Sequence, residues 1–363
     1  MVKSKTGDNI HQYIKWRQDL SFENDKFNEI DGLVISQLTF LELMIEETKE
    51  GPKPLKEALK PYLKMDKKQK INLGLIIPKD CLTLANEISK AKRYENGLVS
   101  DFEKQYDKEK TEQFCALTYH IDDNKMVIAY QGTDDTIIGW QENLNMMDKY
   151  PIAAQNEAVN YLNKMHNSYP YKDIIIVGHS KGGNLAVYSG VYANDDTVSK
   201  IIKIYNYDGP GFEKGRLEEE KVEKIKSKVR NILPYHSTVG MIFNQIGKIT
   251  TVLSNEKGLM QHNGFSWMIE NKKFIRRSLS NDSIKFNNDL NEFLRSLNDD
   301  ERKSLLESFA VYLSYLPYKT LVELSHSGFA AVMNINKIPK KERQIIGKFI
   351  RIFIKDNMIQ GNK

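Results

Sequence analysis

A serine flanked by glycines offers the clearest chemistry in this chain. Residues 178–182 read Gly-His-Ser-Lys-Gly, with Ser180 at the centre of a Gly-x-Ser-x-Gly element. An apolar, β-branched run (174–177) precedes it, and a segment rich in small residues follows. Such an element turns sharply from strand to helix, which exposes the serine hydroxyl and points the helix N-terminus at a developing oxyanion. The pattern predicts a nucleophile elbow. The alternative is a glycine-rich strand-to-helix turn in another kind of α/β protein.

A serine becomes a nucleophile only when a base takes its proton, and in folds with an elbow the acid and the histidine follow the serine in the chain. Of seven histidines, only His236, His262 and His326 follow Ser180. His262 lies in a loop-like segment after the last predicted core strand, where such a fold places its base, and is the preferred candidate. His236 is the second choice, because it comes one strand too early. His326 falls among C-terminal helices, where a solvent-exposed or packing role is favoured.

The candidate acid is Asp208. It comes directly after the strand that follows the elbow, and Gly209-Pro210-Gly211 would hold its carboxylate at the C-terminal edge of the sheet. Many hydrolases place the acid one strand later, but residues 231–248 contain neither Asp nor Glu. Because the later position offers no carboxylate, Asp208 is favoured as the acid. The alternative is that its side chain caps its own turn.

An oxyanion hole needs two preorganised N–H donors. One is predicted to be the amide of Lys181, the residue after the nucleophile. The other is predicted to be the amide of Thr133, because Gln-Gly-Thr (131–133) directly follows the strand-like run 126–130. Trp140 is expected to pack beside this loop. Chemistry of this kind uses no metal and no organic cofactor.

The elements that position these residues alternate between strand and helix. A hairpin is predicted at 114–130, helices at 31–47, 153–165 and 214–228, and strands at 201–205, 229–233 and 249–253. Residues 49–70 have the proline and lysine content of an exposed connection or of short helices. This alternation predicts an α/β fold with a mostly parallel central sheet covered on both faces.

The C-terminal part shows only helical patterns, at 289–297, 300–316 and 320–333, followed by a basic and apolar segment at 338–354. That last segment is either an amphipathic helix on an anionic membrane surface or a helix that docks its apolar face on its neighbours. We favour docking. The predicted organisation is an N-terminal helical segment packed on the hydrolase body (1–70), a core (71–280) and a C-terminal helical appendage (281–363).

Composition narrows the class of protein. The chain has 363 residues, 40% hydrophobic content and a net charge of +5, which suffices for a large core and does not indicate nucleic-acid binding. Cys81 and Cys115 match neither a zinc pattern nor a disulfide framework. The N-terminus has no apolar signal-peptide region, and no stretch approaches the roughly 20 apolar residues that span a bilayer. These observations predict a cytoplasmic protein.

Together these motifs resemble the class 3 lipases of the α/β-hydrolase superfamily, and more closely the bacterial Mbeg1-like family. The residues that carry the resemblance are Phe22, 28–31, 131–134, Gly139, Trp140, 178–186, 208–212, 237–241, Gln261, His262, Ser266 and Trp267. The resemblance covers about residues 10–275. It implies an α/β-hydrolase fold and a small-molecule or lipid ester as substrate.

Three residues depart from the lipase pattern. Gln131 replaces the arginine before Gly-Thr, Lys181 replaces an apolar residue, and Ser237 occupies the usual position of the acid. Either Asp208 has taken over as the acid or the site works as a dyad. The leading hypothesis is a serine esterase or lipase that forms an acyl-enzyme through Ser180, Asp208 and His262. The alternatives are a thioesterase or amidase with the same site, or a hydrolase-like protein that binds a lipid, acyl compound or partner without turnover.

Overall fold

The computed structural model describes most of the chain through residue 314. The described residues are 8–42, 44–48, 51–64, 80–107, 109, 111–133, 142, 146, 150–314 and 343. The predictions for Trp140, for His326 and for the segments 320–333 and 338–354 lie outside these residues. Among the helices that the structure describes, none is long and apolar enough to cross a membrane.

The centre of the fold is an eight-stranded sheet whose strand order follows the chain. Its strands are β1 (Lys53–Pro54), β2 (Leu98–Asp107), β3 (Glu112–His120), β4 (Lys125–Tyr130), β5 (Asp173–His179), β6 (Ile201–Tyr207), β7 (Val229–Pro234) and β8 (Lys248–Val252). The pairings from β1 to β4 are antiparallel, and those from β4 to β8 are parallel. A separate hairpin joins β9 (Ile269–Glu270) to β10 (Lys273–Phe274). The predicted α/β class with a mostly parallel sheet is confirmed.

The central strands are buried on both faces, as their continuous apolar sequences require. On one face, Val127 and Val177 pack in a core with Leu33 of the N-terminal region. On the other face, Ile128 and Ile176 belong to a second core. Since side chains alternate along a strand, these two sets face opposite helical layers.

Helices form both layers. Their bounds are Ile10–Arg17, Glu29–Leu38, Met44–Thr48, Leu55–Ala58, Lys60–Leu63, Asp80–Ile88, Lys92–Glu95, Ala153–Ser168, Lys181–Tyr192, Asp195–Lys200, Glu219–Lys226, Asn281–Ser296 and Asp299–Ser314. Short 3₁₀ turns occur at Val239–Met241, Gly258–His262 and Gly264–Ser266. Helix Glu29–Leu38 covers β4 and β5 on one face, whereas Ala153–Ser168 and Lys181–Tyr192 pack on the other.

Several predicted elements differ from the observed ones at their ends. The helix expected at 31–47 is two helices, Glu29–Leu38 and Met44–Thr48. The first begins at residue 29 because the Asn28 side chain caps the N–H groups of Ile30 and Asp31. The helix expected at 214–228 is shorter, at Glu219–Lys226. The predicted hairpin between β3 and β4 is confirmed.

A buried ion pair fixes the N-terminal layer. The guanidinium of Arg93 donates to both carboxylate oxygens of Asp31 at 2.8 and 2.6 Å, and both side chains are fully buried. The same guanidinium donates to the backbone carbonyls of Asp25 and Lys26. These bonds hold the start of helix Glu29–Leu38 in place, and the end of that helix leads to the region of the elbow.

Candidate active site

The turn around Ser180 has the strained geometry of a nucleophile elbow. Ser180 has φ 58° and ψ −131°, a conformation that side chains rarely adopt and that persists only when its surroundings enforce it. A Cβ at Gly178 would clash with the backbone of Gly182, and a Cβ at Gly182 would clash with the carbonyl of Tyr130. Both glycines are therefore required for strand and helix to approach so closely.

The predicted acid and base lie in direct contact. The Nδ1–H of His262 donates to Oδ2 of Asp208 at 2.7 Å. The Asp208 side chain is 1% exposed and that of His262 is 21% exposed. Ser180 joins them through its backbone, because its N–H donates to the carbonyl of Tyr207, the residue before Asp208, at 2.9 Å. The structure thus brings Ser180, Asp208 and His262 to one edge of the sheet.

The carboxylate of Asp208 also faces the segment after β7. Its Oδ1 accepts a hydrogen bond from the Ser237 hydroxyl at 2.5 Å and one from the Gly240 N–H at 3.1 Å. The turn beside it is capped by a different side chain, since Oδ1 of Asn206 accepts from the N–H of Gly209 at 2.8 Å. The carboxylate is therefore available to the histidine instead of being used on its own turn.

Ser237 is a residue whose contribution the sequence did not predict. It stands where the lipase pattern has its acid, and the sequence showed only a missing carboxylate at that position. In the structure its hydroxyl supports Asp208 from the neighbouring strand end. The parallel pairing of β6 and β7 brings the two positions together, and the only signal in the sequence was their shared place after adjacent strands.

The second-choice base, His236, bonds to Ser280 and Gln261. Its ring is buried, and its Nδ1 is 3.3 Å from the hydroxyl of Ser280, the N-cap of helix Asn281–Ser296. Its backbone N–H donates to Oε1 of Gln261 at 2.9 Å. His236 therefore supports the backbone next to His262, and its ring faces the C-terminal helices.

The predicted oxyanion donors flank the elbow. Lys181 is the first residue of helix Lys181–Tyr192, where backbone N–H groups have no partner within the helix. Gly132 lies against the elbow, since a Cβ there would be 3.2 Å from Cβ of Ser180 and 2.7 Å from the carbonyl oxygen of His179. Thr133 is the next residue and is buried. The structure places both predicted donors next to Ser180.

The side chain of Lys181 has a role that the sequence did not predict. Its ammonium group is fully buried and donates to the carbonyl of Gln113 at 2.6 Å, to Oε1 of Gln113 at 2.6 Å and to Oε2 of Glu142 at 2.7 Å. Gln113 donates in turn to Oε1 of Gln131 at 2.8 Å, and Gln131 donates to the carbonyl of Thr39 at 2.7 Å. One buried polar network thus contains two of the three departures from the lipase pattern.

No cluster of three or more His, Cys, Asp or Glu side chains arranged to hold a metal occurs among the described residues. Two pairs of titratable side chains occur at the site, Asp208 with His262 and Lys181 with Glu142. The second pair neutralises a buried charge next to the nucleophile, because an ammonium group without a partner is strongly disfavoured in such surroundings.

The sheet and the elbow together define an α/β-hydrolase fold. Within this class the chain belongs to the Mbeg1-like family, whose sequence profile matches residues 88–310, more than half of its length. Every predicted site residue falls inside that range.

Several solved lipase structures show partial similarity to this chain. Lipase II from Rhizopus niveus is 12% identical, with 42% of this chain and 66% of that chain covered and a TM-score of 0.32. A triacylglycerol lipase from Penicillium expansum is 12% identical, with 46% and 71% covered and a TM-score of 0.30. Lip2 lipase from Yarrowia lipolytica is 11% identical, with 69% and 84% covered and a TM-score of 0.37. No functionally curated protein matches the sequence.

Proposed function

We propose that this protein is a serine esterase that cleaves a carboxylic ester of a small molecule or lipid through an acyl-enzyme intermediate. The observation that carries the proposal is the 2.7 Å hydrogen bond between His262 and the buried carboxylate of Asp208, formed beside the strained Ser180. A carboxylate in that position fixes the tautomer of the imidazole and stabilises the imidazolium that forms during turnover.

The reaction follows from these roles. The Oγ of Ser180 attacks the ester carbonyl while Nε2 of His262 takes the serine proton, which produces a tetrahedral oxyanion. The N–H groups of Lys181 and Thr133 hold this oxyanion. The intermediate collapses, His262 gives its proton to the leaving alcohol, and the acyl group stays on Ser180. A water molecule that gives a proton to His262 then attacks the acyl-enzyme. The second tetrahedral intermediate collapses, the carboxylic acid leaves, and His262 returns the proton to Oγ of Ser180.

The contacts of Asp208 support a triad over a dyad. Its carboxylate accepts from Ser237, Gly240 and His262. The two further donors, Ser237 and Gly240, hold the buried carboxylate in one orientation beside the imidazole. In a Ser180–His262 dyad, the buried carboxylate of Asp208 would have no part in orienting the imidazole.

Thioesters and amides are the alternative substrates, because their cleavage uses the same groups and differs mainly in the leaving group. A panel that pairs one acyl chain with p-nitrophenol, coenzyme A-type thiol and amine leaving groups separates them. We expect the highest kcat/KM for the oxygen ester. A higher kcat/KM for the thioester at equal acyl length would reassign the protein as a thioesterase.

Covalent labelling tests the nucleophile directly. A fluorophosphonate probe phosphonylates a serine only when a base activates it, so we expect labelling of the wild-type protein at Ser180, with peptide mass spectrometry to locate it. Ser180→Ala should abolish labelling, and Ser199→Ala, at an exposed serine of helix Asp195–Lys200, should leave it unchanged. Absence of labelling in the folded wild-type protein would favour a binding protein without turnover.

A further inference from the structure

His179, the residue before the proposed nucleophile, faces the proposed base. Its Nε2 lies 2.8 Å from the backbone carbonyl oxygen of His262. Its ring stacks on the ring of His262, with centroids 4.7 Å apart and planes inclined by 30°. Because a carbonyl oxygen can only accept, Nε2 of His179 must carry the proton in this contact.

We propose that His179 is a positioning residue that holds His262 in register with Asp208 and Ser180, through one hydrogen bond to its backbone and one ring-to-ring contact. This proposal rests on the proposed function. It adds a role for a motif residue that the mechanism above does not use.

The loop that carries His262 depends on such contacts. His262 ends the short 3₁₀ turn Gly258–His262, and Met260 on that turn is largely exposed. Trp267 Nε1 donates to the carbonyl of Gln261 at 2.8 Å, and the bond from His179 holds the next carbonyl along the chain. The bond from His179 comes from the elbow itself, so it ties the base to the residue adjacent to the nucleophile.

The charge state of His179 suits this role. Burial, together with the neighbouring His262, lowers the pKa of His179 to about 3. His179 therefore stays neutral when His262 takes the serine proton. The His262 ring contacts the carboxylate of Asp208 and the ring of His179, and the centroid of the Trp267 ring lies 6.3 Å from that of His179. A neutral aromatic face adds no repulsion to the imidazolium, whereas a charged one would.

Two substitutions separate the hydrogen bond from the volume of the ring. His179→Phe keeps the ring and removes the donor, and we expect kcat and the rate of fluorophosphonate labelling to fall roughly 10- to 100-fold, because small displacements of a catalytic group have effects of that size. We expect KM to change by about twofold or less, since the residue does not touch substrate. His179→Gln keeps an N–H donor and should stay within about fivefold of wild type, the loss expected for one neutral interaction.

His166→Phe is the matched control for replacing a buried histidine by phenylalanine. His166 is buried in helix Ala153–Ser168, and we expect its substitution to leave the labelling rate unchanged. A loss in His179→Gln that equals or exceeds the loss in His179→Phe would overturn the proposal, because the ring and not the N–H donor would then be the feature that matters. Wild-type rates in both variants would overturn it as well.

A measurement on the wild-type protein keeps the proposal testable if the variants do not fold. Imidazole ¹⁵N chemical shifts report which ring nitrogen carries the proton. We expect the Nε2–H tautomer for His179 and the Nδ1–H tautomer for His262 at neutral pH. An Nδ1–H tautomer of His179 would exclude its bond to the carbonyl and overturn the proposal. Because these shifts do not depend on turnover, failure here is distinguishable from failure of the esterase function, which the labelling of Ser180 tests.

Discussion

At the scale of single residues, the backbone geometry of Asp208 fixes the carboxylate that we propose as the acid. Asp208 has φ 50°, a left-handed conformation that a non-glycine residue adopts only under constraint. Its N–H donates to the carbonyl of Ile232 at 2.9 Å, which ties the end of β6 to β7. The acid is thus held by the sheet edge itself, and Ser237 completes its hydrogen bonds from the adjacent strand.

Replacing the carboxylate by an amide tests this assignment. Asp208→Asn keeps the size of the side chain but no longer stabilises the imidazolium, so we expect kcat to fall by about 10³- to 10⁴-fold, the size known for such changes in triads. Ser237→Ala removes one supporting hydrogen bond of Asp208, and a loss of about 5- to 10-fold is expected. Steady-state kinetics on a p-nitrophenyl ester measure both. Activity of Asp208→Asn within threefold of wild type would mean that the site is a dyad.

At the scale of elements, the network around Lys181 connects β3, the end of β4 and the elbow helix. Lys181 starts helix Lys181–Tyr192, Gln113 belongs to β3, and Gln131 follows β4. The ammonium group of Lys181 is linked through Gln113 to the neutral amide of Gln131. The lipase pattern has an arginine at position 131. Lys181 and Gln131 belong to one network because the side chain of Gln113 bonds to both of them.

A double-mutant cycle tests the coupling of this network. Lys181→Met leaves the buried Glu142 without its cation, and we expect the free energy of unfolding to fall by about 3–5 kcal/mol, as for other broken buried pairs. Glu142→Gln removes the charge, so Lys181→Met combined with Glu142→Gln should recover much of the loss. Urea denaturation of the four proteins gives the coupling energy. Strictly additive effects would show that the two side chains stabilise the fold independently.

The elements that the sequence predicted well are those whose pattern is local. The apolar runs of β4 and β5 and the glycines around Ser180 suffice to predict a strand, an elbow and a helix. The sequence did not predict β2, because its charged residues conceal the alternation and its register shifts between Ser100 and Glu103. Contacts between distant residues were also missed. Lys181 and Glu142 are 39 positions apart, and no local pattern marks them as partners.

At the scale of the whole molecule, the N-terminal helical layer is part of the site's support although it precedes the region that matches the family. The carbonyl of Thr39 accepts from Gln131 at 2.7 Å, next to the predicted oxyanion loop. The carbonyl of Glu29 accepts from the hydroxyl of Tyr207 at 2.5 Å, one residue before Asp208. The layer therefore braces the ends of β4 and β6, two of the strands that lead to site residues. These contacts between the N-terminal helices and the ends of β4 and β6 are visible only in the structure.

Buried histidines make the stability of the whole molecule depend on pH. His120 is buried at the end of β3, where its Nε2 is 2.8 Å from the Ser100 hydroxyl and its Nδ1 is 3.3 Å from the ammonium of Lys172. Burial and the charge of Lys172 lower the pKa of His120 to about 4, from 6.5. The unfolded chain therefore binds a proton below pH 6.5 that the folded protein does not bind until about pH 4.

The contribution of His120 to stability is fully present above pH 6.5 and is lost as the pH falls toward 4. From pH 7 to 4.5 it amounts to about 2 kcal/mol, because each unit of pKa difference corresponds to about 1.4 kcal/mol. His120→Gln removes the titration and keeps a side chain that accepts from Lys172. Urea denaturation at pH 7.0, 6.0, 5.0 and 4.5 should show the free energy of unfolding declining more steeply in the wild type than in His120→Gln. Parallel curves would mean that folding does not lower the pKa of His120.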